Sequence, residues 1–69
     1  EPGEPRRSTP HHQGTTEHVV LLSGEARIGP ADAPEVLSPG DYLSYRGDAP
    51  HIFEALAPGT SAVLITELR

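Results

Sequence analysis

The stretch His11-His12-Gln13-Gly14-Thr15-Thr16-Glu17-His18-Val19-Val20-Leu21-Leu22-Ser23-Gly24 decides how this chain is read. It opens with two imidazoles, turns at Gly14-Thr15-Thr16, sets Glu17 at the mouth of an apolar run and ends in a Ser-Gly turn. Successive side chains of an extended segment point to opposite faces, so Glu17, Val19 and Leu21 share one side and His18, Val20 and Leu22 the other. With apolar residues on both sides, the segment is expected to be a strand covered on both faces. A carboxylate at the head of such a strand, with histidines just upstream, is where chemistry would gather.

Outward from this strand, Ser23-Gly24 turns the chain into residues 25–28, where charged and apolar residues alternate as in a strand with one wet face. The run 29–34, Gly-Pro-Ala-Asp-Ala-Pro, is a turn cluster, because proline removes ladder donors while glycine and aspartate accept turn conformations. A short strand is expected over 35–37. In Ser38-Pro39-Gly40-Asp41, Pro39 suits the second position of a type II turn and Gly40 the third, which needs a positive φ. Strand 42–45 follows, then the loop 46–50, which delivers His51 to a strand over 52–56 with His51, Phe53 and Ala55 on one face. Residues 57–60 turn once more into a last strand over 61–68, rich in β-branched side chains. None of the windows between turns has the length of a helix, and short strands at roughly 8–12 residue spacing predict an all-β antiparallel sandwich or small barrel. Residues 1–9, proline-bearing and without periodicity, read as a linker or the frayed remnant of a strand, with the domain proper over 10–69.

Composition narrows the function. A chain of 69 residues makes one domain, and at that size only roughly 60% of the unfolded surface is buried on folding. Seven of its hydrophobic residues are alanines, so the core is thin and is expected to draw apolar cover from a second copy or from further chain. Without cysteine, neither a disulfide nor a thiolate-metal site can substitute for that cover. The five cations are all arginine and face ten carboxylates, for a net charge of −5, which repels phosphate backbones and makes this segment a poor nucleic-acid binder by itself. No apolar run approaches the ~20 residues of a membrane span and no signal segment opens the chain, which makes the cytoplasm the default expectation.

Two spacings carry a resemblance. Glu17 and Gly24 have six residues between them, and Gly40 precedes His51 with ten residues between them. In this strand order the sequence resembles the cupin family, double-stranded β-helix or jelly-roll barrels whose first motif ends Glu-x6-Gly and whose second runs from a glycine to a histidine at that separation. Counting back from Glu17 places the first motif's histidine pair on His11 and Gln13 with one permitted gap, or on Pro10 and His12 with the other. In the second motif Arg46, Asp48 and Ala55 occupy the positions where the family has proline, glycine and asparagine. The resemblance covers residues 10–67, and a complete barrel of this family has further strands before the first motif. The wording His-x-x-Gly-Thr-x-Glu-His-Val-Val, Leu-Ser-Pro-Gly-Asp-Tyr and Asp-x-Pro-His-x-Phe-Glu-Ala-Leu is similar to the C-terminal cupin domain of bacterial regulators that carry an XRE-type helix-turn-helix.

The resemblance implies a divalent metal such as Zn, Ni, Fe or Mn at the barrel mouth, held by Glu17, His51, His11 as third ligand and the weaker carbonyl of Gln13, since imidazole and carboxylate suit these ions. Tyr42, Tyr45 and Phe53, the aromatic residues of the chain, are expected to pack the core and, where they face inward, to line a ligand pocket. His18, on the face opposite Glu17, reads as structural or interfacial. The function implied is that of a homodimeric domain sensing a small molecule for a regulator, with DNA contact made by a part outside this segment. The alternative is a small metal-dependent enzyme, a dioxygenase or isomerase, and against it no spare acid or base is evident beside the ligands.

Overall fold

The computed structural model describes residues 6–8 and 14–68. They form seven strands: β1 (Arg6–Ser8), β2 (Thr16–Ser23), β3 (Ala26–Pro30), β4 (Glu35–Leu37), β5 (Tyr42–Arg46), β6 (His51–Ala55) and β7 (Ser61–Glu67). The fold is all-β, without a helix among the described residues. One sheet has the order β1-β6-β3-β4 and the other β5-β2-β7, with every pairing antiparallel. Each strand expected between the turns is present, displaced by a residue or two at its ends. Arg6–Ser8, within the segment read as linker or strand remnant, pairs with β6.

The two sheets bury their facing sides. Val19 and Leu21 of β2, Ala26 and Ile28 of β3 and Leu37 of β4 form the core, with Leu43, Tyr45 and Ala62 against it. Period-2 alternation does the sorting: Arg27, between Ala26 and Ile28, points out and bonds its cross-strand neighbour Glu54 at 2.8 Å. The outer side of β2 departs from expectation. Leu22 is 55% exposed, and Val20 lies opposite Tyr42 and Val63, both exposed. Only the face carrying Glu17, Val19 and Leu21 meets the other sheet, so β2 is covered on one side and its remaining apolar residues belong to an uncovered sheet face.

The turns follow their chemistry. Asp41 N donates to Ser38 O at 2.9 Å with Gly40 at φ 91°, and Ser38 N donates to Asp41 Oδ2 at 2.8 Å. The loop between β5 and β6 is tied by charge. Arg46 places Nε and Nη2 at 2.9 and 3.0 Å from the two oxygens of Asp48, and Gly14 N donates to Asp48 Oδ2 at 2.9 Å. Gly47 N donates to Thr15 O at 2.9 Å, so this loop also anchors the entry to β2.

The Arg46 hydrogen bond, followed by that of Gly14, holds the Asp48 carboxyl at about 2, below its ordinary 3.8. A depressed carboxyl contributes stability that is present above the ordinary value and is lost as pH falls through it toward the folded value. Thermal melts between pH 4 and pH 2 are therefore expected to show a fall in stability that Asp48→Asn flattens. An unchanged slope in that variant would show that this fork does not carry the acid sensitivity.

Candidate binding site

The register of β2 assembles the site. Glu17 lies opposite Tyr45 on one side and Thr66 on the other, so the three form one row across the inner face of the β5-β2-β7 sheet. Glu17 is fully buried, and Thr66 Oγ1 donates to its Oε1 at 2.9 Å. Gly47 stands directly behind it: a Cβ there would come within 2.9 Å of Glu17 Cγ and Oε2. The glycine leaves room for the carboxylate where any side chain would crowd it.

The other sheet contributes His51, 6% exposed at the head of β6. Its Nδ1 lies 2.9 Å from Ala49 O. A carbonyl only accepts, so the imidazole carries a proton on Nδ1, and in the neutral ring Nε2 keeps its lone pair. The His51 ring packs against Tyr45 with centroids 5.5 Å apart and planes tilted by 49°. Tyr45 therefore touches both halves, as the row neighbour of Glu17 and the ring neighbour of His51. Burial first, and the negative charge of Glu17 second, push its phenol up to about 12. At neutral pH it is a protonated hydroxyl, available as a donor beside a carboxylate.

Glu17 and His51 thus both belong to the interior, joined through Tyr45. A carbonyl that fixes the tautomer of a histidine, leaving Nε2 as the donor atom, is the usual support for a metal-ligating imidazole. With a buried carboxylate it makes a set suited to a divalent first-row ion, and on this chemistry the two residues fit the implied metal. Among the described residues no group of three or more His, Cys, Asp or Glu side chains converges. His11 and Gln13 lie outside the described residues.

Of the aromatic residues, Tyr45 and Phe53 face inward. Phe53 sits opposite the core residue Ile28 and is 37% exposed. Tyr42 does not: its register with Val20 puts it away from the interior where it was expected, on the outer face and 57% exposed. There Tyr42 Oη lies 2.6 Å from His18 Nδ1, and Glu67 Oε1 2.9 Å from His18 Nε2. His18 so ties three strands together across the sheet. Thr66 and Gly47 escaped the sequence reading, although the alternation of the last strand already places Thr66 with Ala62 and Leu64.

No curated protein matches this chain. Among solved structures it is similar to the Cupin_2 domain of an XRE family transcriptional regulator from Enterobacter cloacae, with a TM-score of 0.82 and 29% identity over 99% of this chain and 72% of that one. It is also similar in fold to an HTH_3 family transcriptional regulator from Vibrio cholerae, with a TM-score of 0.70 and 22% identity over 91% of this chain and 34% of that one. The family model described as the Cupin domain matches residues 1–66. On that match and this barrel-like pair of sheets, the chain belongs to the Cupin domain family.

Proposed function

We propose that this chain is the small-molecule-sensing and dimerisation module of a transcriptional regulator, acting on DNA through a helix-turn-helix outside these residues. The observation that carries the reading is buried Glu17, set in one row between the exposed Thr66 and the half-buried Tyr45, with buried His51 against the Tyr45 ring. A thin-cored domain gains nothing structural from burying a carboxylate, whose removal from water costs several kcal/mol in order of magnitude. Such a group is retained for what it binds. The similarity to a regulator's cupin domain supplies the context, and the net charge of −5 keeps this segment off DNA.

Glu17 and His51 would hold a divalent ion, with His11 and Gln13 completing the set, and that ion would supply a Lewis-acidic anchor for an anionic or carbonyl group of the ligand. Tyr45 orients the ligand by donating its hydroxyl hydrogen, and Phe53 covers the apolar part. Binding at the inner faces of both sheets stiffens their relation, and a dimer passes that change to the attached DNA-binding halves.

Thermal shift with ZnCl2, NiCl2 and MnCl2 separately, then with small carboxylates, amines and sugars over the metal-loaded chain, tests the reading. At one hundred times Kd a ligand stabilises by about 2.7 kcal/mol, roughly 10 °C or more for so small a domain. His51→Gln is expected to remove the metal response, and Tyr45→Phe to weaken the organic ligand's response by about tenfold. Failure of every probe to raise the melting temperature would overturn the sensing role.

A further inference from the structure

The loop between β5 and β6 joins the two halves of the candidate site. Gly47 N donates to Thr15 O at 2.9 Å, and Gly47 lies so close behind Glu17 that a Cβ would come within 2.9 Å of Oε2 and 3.0 Å of Thr15 Cγ2. Ala49 O holds Nδ1 of His51 at 2.9 Å. Pro50 O accepts Ala31 N at 2.9 Å, which ties the far end of the loop to the end of β3. Residues 46–50 thus set where a carboxylate from one sheet and an imidazole from the other stand.

The weak joint of this loop is Gly47. Room for Glu17 demands a residue without a Cβ, and such a residue has the widest choice of backbone conformations. Ala49 lacks that freedom, because a residue before proline is restricted. The side chains on either side of Gly47 reach across it: Arg46 Nε and Nη2 donate to Asp48 Oδ1 and Oδ2 at 2.9 and 3.0 Å. A bidentate fork of this kind fixes geometry as well as supplying attraction. Asp48 Oδ2 also accepts Gly14 N at 2.9 Å, so the same carboxylate is bound to the entry of β2. Arg46 and Asp48 are two of the positions where this chain departs from the second cupin motif, and the departures meet in one interaction.

We infer that Arg46 and Asp48 form a positioning clasp for the candidate site: closed over Gly47, it holds the loop in the conformation that keeps Gly47 behind Glu17 and Ala49 O on His51. The inference rests on the binding reading above only for what the site holds. The clasp acts through Gly47 and Ala49, and a site needs its binding groups held within about 0.5 Å. It takes back the freedom that the glycine brings, so that Glu17 gains its space without the two halves of the site drifting apart.

At about pH 8, where an ordinary imidazole is neutral, nitrogen NMR of the full chain reads the tautomer of His51 without any metal, the signals being assigned by their loss in His51→Gln. The parent chain is expected to show the Nδ1-protonated ring. Asp48→Ala removes both the fork and the tie to Gly14, and is expected to give a mixture of tautomers and to raise the Kd for ZnCl2 by roughly 10–100-fold. Arg46→Gln and Asp48→Asn each lose the fork while an oxygen at position 48 still meets Gly14 N, so both shift less. Their double variant shifts no further than either alone, as two ends of one interaction require. Gly40→Ala, strained at the opposite end of β5, is expected to keep tautomer and affinity, which separates positioning from a general loss of stability. If Asp48→Ala does not fold, the two milder variants carry the test. An Nδ1-protonated ring that persists in every clasp variant, or an equal change in Gly40→Ala, would overturn the clasp. A tautomer shift confined to the clasp variants of a chain that takes up no zinc would uphold the clasp and overturn the metal reading alone.

Discussion

Gly24→Ala is expected to destabilise the domain by roughly 2–4 kcal/mol, a large share of the ~5–15 kcal/mol that holds an ordinary domain. Two costs coincide at this turn. Gly24 sits at φ 78°, where a side chain meets its own backbone. A Cβ placed there would also lie 2.6 Å from Thr60 Cα and in hard contact with Thr60 Oγ1. Thr60 has little room to withdraw, since its hydroxyl bonds Ala57 O at 2.7 Å and Glu25 O at 3.1 Å and receives Glu25 N at 3.3 Å. The clash therefore falls on backbone held by the neighbouring turn. Gly40→Ala is the control: its φ is 91°, yet nothing stands within 4 Å of its Cβ position, so it pays the conformational cost alone, about 1 kcal/mol. Urea melts of both variants separate the terms. Equal midpoints would show that the approach of Thr60 contributes nothing.

The fold was legible because its punctuation is local. Gly24, the Pro39-Gly40 pair and the 57–60 turn each declare a reversal from one or two residues, and the strands between them alternate with the period that one buried face requires. Glu17 and His51 were legible for a different reason: their spacings to Gly24 and Gly40 match a family pattern that carries three-dimensional information the residues alone do not. What the chain could not reveal was which of two apolar faces meets the other sheet. β2 is apolar on both sides, and alternation assigns partners to a face without saying what covers it. Tyr42 was misplaced for the same reason, since its side of β5 follows from register with Val20, a tertiary fact. Thr66 and Gly47 matter only through their approach to Glu17 from distant parts of the chain, and neither residue type announces that role.

Glu17→Gln is expected to abolish the response to divalent metals while leaving the fold in place. Glutamine keeps the shape that fits beside Gly47 and an oxygen that can accept from Thr66 Oγ1, now 2.9 Å from Glu17 Oε1. It loses the charge, and with it both the attraction for a cation and the cost of holding a carboxylate out of water. The phenol of Tyr45 reports the change independently of any ligand. Its value of about 12 has burial as the larger cause and Glu17 as the smaller, so the variant's midpoint moves down but stays above the ordinary 10.0. Absorbance titration in a Tyr42→Phe background isolates the residue, because Tyr42 and Tyr45 are the tyrosines of this chain. The sign extends to stability: a phenol raised in the folded state contributes stability that is present below pH 10 and lost as pH climbs toward 12, so Glu17→Gln narrows that window from its upper end. A Tyr45 midpoint unmoved by the substitution would mean that the carboxylate and the phenol do not share one interior, and the site would lose its centre.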